Sequence, residues 1–100
     1  MAKTFESVIK WHTATFPAVT MEELEHNFSE TLNNFDGFWS PNELEDLVDM
    51  MITSIGIMRF DYYKGMNYLT VTFDKIYLGT YHGEAVWRAV EDKINNHKDK

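Results

Sequence analysis

Between Lys10 and Arg59 the chain contains no lysine or arginine, yet this interval holds Glu22, Glu23, Glu25, Glu30, Asp36, Glu43, Glu45, Asp46 and Asp49. The interval carries −9 and the two flanking segments +1 each, so it accounts for the whole acidic excess in a formal net charge of −7. Carboxylates three or four residues apart on one helix face lie about 5–6 Å apart at Cβ. That spacing is of the right order to imitate a row of nucleic-acid phosphates. An ordinary solvated helix sets a lysine four residues after a glutamate to offset the repulsion; here none follows. The pattern points to an acidic face that docks on a basic surface, of the kind that normally holds nucleic acid. The same charge argues against direct binding of nucleic acid and against docking on an anionic membrane.

The residues expected to make this contact are Glu22, Glu23, Glu30, Asp36, Glu45, Asp46 and Asp49, with Phe38 and Trp39 as an aromatic anchor beside Asp36. The expected partner is a basic, nucleic-acid-binding protein, and the expected role is that of an inhibitor or regulator, a nucleic-acid mimic of phage or plasmid type. A plainly solvated face with acids favoured by helix N-termini explains Glu22, Glu23, Glu43 and Glu45 as well. It does not explain the missing bases. A second constellation, Tyr63, Tyr68, Tyr77 and Tyr81 around Arg59, would form an aromatic platform if it shared one strand face. It supports the alternative of a structural, oligomerising module that packs on a copy of itself as a homodimer.

Other chemistries find no foothold. His12, His26, His82 and His97 include no pair at helical metal-ligand spacing, and there is no cysteine. Ser7, Ser29, Ser40 and Ser54 lack the glycine context of a nucleophile elbow, and no phosphate-cradling or dinucleotide fingerprint occurs. The chain is therefore expected to be no enzyme and to carry no metal or cofactor. The N-terminal residues turn polar too quickly for a secretory signal, and the longest apolar-leaning run, Met50 to Met58, is far short of the roughly 20 residues a membrane helix needs. A cytoplasmic location is expected.

The elements that must position these residues follow from start and stop signals. One hundred residues suit one domain spanning 1–100. Thr4 to Ala14 reads as a first helix, with Phe5, Val8, Ile9 and His12 on one side, ended by Pro17. Thr20 and Glu23 form a capping box for a second helix carrying Met21, Leu24, Phe28, Leu32 and Phe35. Ser40, Pro41 and Glu43 open a third, whose stripe of Leu44, Leu47, Val48, Met51, Ile52 and Ile55 stops at Gly56. The period then changes to alternation, and Ile57 to Tyr63, Tyr68 to Phe73 and Ile76 to Tyr81 read as strands. Lys64-Gly65-Met66-Asn67 and Asp74-Lys75 supply the hairpin loops. Gly83 to about Ile94 forms a last helix with Val86, Ala89, Val90 and Ile94 inward, and Asn95 to Lys100 a frayed tail. The expected class is α+β: three N-terminal helices, a three-stranded antiparallel meander and a C-terminal helix.

Overall fold

The computed structural model describes residues 4–35 and 41–98. These residues form five helices: α1 Phe5–Thr15, α2 Met21–Asn33, α3 Glu43–Met58, α4 Tyr62–Leu78 and α5 Gly83–Lys98. The hub is α3. Leu47, Val48, Met50, Met51 and Ile52 are buried, and so is every residue from Ser54 to Met58. A helix apolar around most of its circumference must be enclosed around most of it, and α1, α2, α4 and α5 each pack against it. Val8 from α1, Leu69 and Ile76 from α4, and Val86, Val90 and Ile94 from α5 complete the core. The Cα radius of gyration, 12.7 Å, matches the value of about 13 Å for 100 residues packed around one core.

The first two helices form where the sequence places them. The Thr4 side chain accepts from the Ser7 backbone N–H, and the Thr4 N–H donates to Ser7 Oγ at 2.9 Å. Thr20 caps α2 by accepting from the Glu23 N–H at 3.1 Å. The α+β expectation fails after that. No strand or sheet occurs among the described residues; the segment read as a meander completes α3, turns at Arg59 and Phe60, and forms α4. β-branched and aromatic side chains carry only a weak local preference for strands, and tertiary burial overrides it. In α4 the buried positions are Gly65, Leu69, Thr72 and Ile76, at helical spacings of four, three and four. The helix has its own start signal, because the Asp61 side chain accepts from the Lys64 N–H at 3.0 Å.

Three boundaries move with this correction. The third helix begins at Glu43 rather than Pro41, its N-cap Asn42 makes no side-chain cap bond, and Ser40 lies outside the described residues. Gly56 does not stop α3 but sits inside it, where a Cβ would come within 2.6 Å of His12 Nε2. The last helix runs on to Lys98 rather than fraying from Asn95. Both misread glycines serve close helix contact, not turns.

Polar bonds join the helices at their edges. Glu43, read as a capping-box acid, is only 1% exposed. Its Oε2 accepts from the Thr80 N–H at 2.7 Å and its Oε1 from the Thr80 hydroxyl at 2.9 Å. The start of α3 thereby fixes the connection between α4 and α5. Among the described residues, every buried side-chain nitrogen or oxygen has a hydrogen-bond partner. A Glu43→Ala substitution leaves both Thr80 donors without this acceptor and opens a cavity in the core edge. The expected loss is about 2–4 kcal/mol of stability. Glu43→Gln, which keeps the volume and one acceptor oxygen, is expected to lose roughly half as much. Chemical denaturation of the two variants, with hydrogen exchange at the Thr80 amide, checks the ranking.

Candidate functional site: an acidic groove between two helices

Helices α2 and α3 run antiparallel, and the C-terminal part of α2 meets the N-terminal part of α3 along a groove of about 390 Å³. Asn27, Glu30, Thr31 and Asn34 line one wall at helical spacing, and Asp46, Asp49, Ile52 and Thr53 line the other. Three of the acids expected to face a partner, Glu30, Asp46 and Asp49, thus come together from two helices. The polar neighbours Asn27, Thr31, Asn34 and Thr53 were not singled out from sequence. Their signal was present, since positions 27, 30/31 and 34, and 46, 49 and 53, each trace one stripe of a helix.

The groove continues into a second cavity of about 240 Å³, which shares Asn27, Ile52 and Thr53 with it. Here the walls turn apolar, with Trp11, Phe16, Val19 and Leu24 around His12. Lys93 of α5 lines this part and donates to Asp49 Oδ1 at 2.6 Å. Both members of that pair are partly exposed, so it contributes at most about 1 kcal/mol.

The remaining acids are more dispersed than the linear charge pattern implies. Glu22 and Glu23 are exposed in the first turn of α2, at the opposite end from Glu30. Glu23 is partly engaged by the Thr20 hydroxyl at 3.2 Å. Glu45 is exposed in the first turn of α3 but does not line the groove. Asp36, Phe38 and Trp39 lie outside the described residues. Glu25 points into the fold, where it accepts from the Tyr68 hydroxyl at 2.8 Å and pairs with Lys64 at 3.3 Å. The base-free interval is therefore partly neutralised in space, by Lys64 and Lys93 from the C-terminal half.

The tyrosine platform is not assembled as expected, because no sheet among the described residues carries it. Tyr63 and Tyr77 are exposed on α4, and Tyr81 lies in the loop after it. Tyr68 is half-buried against Phe28, with ring centroids 4.7 Å apart. Its hydroxyl pKa is raised, first by the hydrogen bond to Glu25, then by desolvation and by the Glu25 charge. Arg59 binds the C-terminal end of α1. Its Nη1 donates to the carbonyls of Phe16 at 2.9 Å and His12 at 3.3 Å, the last acceptors of α1. The same nitrogen lies 3.1 Å from His12 Nδ1.

Since a guanidinium can only donate, Nδ1 accepts, sharing one of the two Nη1 hydrogens with the His12 carbonyl, and the His12 ring is neutral with its proton on Nε2. Burial, reinforced by the Arg59 charge, lowers the His12 pKa from 6.5 to about 4. This group holds α1 to α3. Among the described residues no three His, Asp or Glu side chains are placed to hold a metal ion. Nor is any described helix long and apolar enough to cross a membrane. No protein-family model matches the chain, and neither does any curated protein or solved structure.

Proposed function

We infer that the chain is a non-enzymatic, acidic protein-binding regulator that presents the α2–α3 groove to a basic surface of a partner, one whose usual occupant is nucleic acid. The observation that carries this reading is the convergence of Glu30, Asp46 and Asp49 on one groove, in a chain of net charge −7. The apolar cavity that continues the groove adds a seat for an aliphatic or aromatic side chain lying next to a lysine or arginine. Carboxylates beside an apolar pocket are complementary to such a pair, with the charges setting orientation and on-rate and the pocket supplying the anchor.

The test is charge reversal. Changing Glu30, Asp46 and Asp49 to Lys is expected to reduce capture of nucleic-acid-binding proteins from lysate at least tenfold, whereas the Gln and Asn set weakens it less. Capture by the unaltered chain is expected to fall with added salt, and free duplex DNA should compete for the same partners. Circular dichroism and thermal melting verify that each variant is folded. Undiminished capture by the folded Lys variant overturns the reading.

A further inference from the structure

Helix α4 carries a second apolar stripe that the fold leaves largely uncovered, its Met66 also packing partly against the core. Its inward face is Gly65, Leu69, Thr72 and Ile76. Rotated from it by roughly a third of a turn, at 100° per residue, lie Tyr63, Met66, Thr70, Phe73 and Tyr77. These residues follow one another at spacings of three, four, three and four, the repeat of a helix–helix seam. Tyr63 is 80% exposed, Tyr77 87% and Phe73 45%, and neighbouring Tyr62 is 55% exposed. At about 200 Å² per fully exposed ring, these four present on the order of 500 Å². That equals the largest apolar patch usual for a monomer and is most of the roughly 800 Å² that each partner contributes to a standard interface.

We propose that this stripe is a homodimer interface, in which α4 packs antiparallel against α4 of a second copy. The stripe is self-complementary in one register. With the two-fold axis between Val71 and Thr72, Thr70 faces Phe73 of the second copy and Met66 faces Tyr77, so that a small side chain meets a ring and a thioether meets an aromatic. Thr70 enters such a contact with its hydroxyl already donated to the Met66 carbonyl at 3.0 Å. Along one border of the stripe, exposed Asn67 comes beside exposed Asp74 of the other copy, an amide donor against a carboxylate, twice by symmetry. A parallel pairing would instead set Asp74 against the opposite border of the stripe, beside the exposed Phe73 ring of the second copy.

The register also seats Tyr63. It falls level with Thr80 of the second copy, where a cavity of about 450 Å³ opens between Phe73, Tyr77, Thr80, Tyr81 and His82. The surrounding charges, Arg59, Asp61, Lys64, Asp74 and Lys75, are nearly balanced, so this face does not share the repulsion of the acidic groove. A second copy is therefore the occupant that the stripe fits. The inference does not depend on the groove, and a chain with Glu30, Asp46 and Asp49 changed to Lys is expected to dimerise as before.

Sedimentation equilibrium across micromolar to millimolar concentrations is expected to give a species of about 24 kDa, twice the 11.8 kDa chain. Thr70→Glu with Tyr77→Glu, both at exposed positions, is expected to raise the dissociation constant at least a hundredfold with melting temperature and helicity of the monomer retained. The absence of cysteine permits a register test. A mixture of Asn67→Cys and Asp74→Cys chains is expected to cross-link with a short bismaleimide, and the Asn67→Cys chain is expected not to link to itself, its two copies lying about 13 Å apart along the helices. A monomer at every concentration overturns the proposal, as does a dimer that survives the two glutamates. A dimer in which Asn67→Cys links to itself overturns the pairing described.

Discussion

A Gly65→Ala chain is expected to lose on the order of 3 kcal/mol of stability, although alanine is the better helix former by about 1 kcal/mol. The added Cβ would meet the Met58 side chain and would lie 2.7 Å from the Met58 backbone nitrogen and 2.9 Å from its Cα. A side chain can rotate away, but the Met58 backbone closes α3 and leads into a turn hydrogen-bonded back onto that helix, the Phe60 and Asp61 N–H groups both donating to the Ile57 carbonyl. It gives way only by shifting that turn. The clash therefore decides the sign. For a domain whose whole stability is of order 5–15 kcal/mol, such a loss lowers the melting temperature by more than about 10 °C. Gly83→Ala is the matched control. Nothing lies within 4 Å of a Cβ built there, so the substitution is expected to be neutral or to stabilise α5 by up to about 1 kcal/mol. Thermal melts of the two variants should move in opposite directions, or at least only Gly65→Ala should fall. Equal small shifts would show that α3 and α4 do not approach as closely at Met58 as described.

These glycines also explain where the sequence was legible. The first two helices were readable because their signals were local: apolar spacing and Pro17 for α1, and for α2 the Thr20 cap, which bonds within three residues of itself. The amphipathic period of α5 was readable for the same reason, and Val86, Val90 and Ile94 are buried as its spacing requires. Gly56 and Gly65 look like punctuation in a linear reading, yet each makes room for a residue from another helix, His12 in one case and Met58 in the other. That is tertiary information, and no window along the chain contains it. Helix α4 was misread because it has two apolar stripes. With aromatic residues on the outer stripe and β-branched residues scattered between, alternation and helical spacing both find matches in the same segment.

The groove was legible in part. Glu30, Asp46 and Asp49 were identifiable as outward acids from helical spacing, and they line one cleft. Glu25 and Glu43 stood in the same base-free interval but are occupied by Tyr68 and Lys64, and by Thr80. Linear charge counts cannot separate an acid that faces solvent from one that meets a donor 37 or 43 residues away.

His12 is the group through which acidification is expected to weaken the fold most directly. In the folded chain its pKa is about 4, against an ordinary value of 6.5. A base whose pKa is lowered by folding favours the folded state while it stays neutral. The stabilising difference is therefore complete above about pH 6.5, declines as the unfolded chain takes up its proton first, and is gone below about pH 4. A shift of this size corresponds to roughly 3 kcal/mol, of which about 2 kcal/mol is lost between pH 7 and pH 5. The physical cause is local. Protonation would place a second N–H on Nδ1, where Arg59 Nη1 already donates from 3.1 Å, and would add a charge to a ring packed against Gly56. A His12→Gln chain keeps an acceptor for Arg59 and removes the titration. Denaturation of both chains at pH 7 and pH 5 is expected to show a loss of about 2 kcal/mol that the variant lacks. Equal pH dependence in the two would mean that His12 is not held neutral against Arg59.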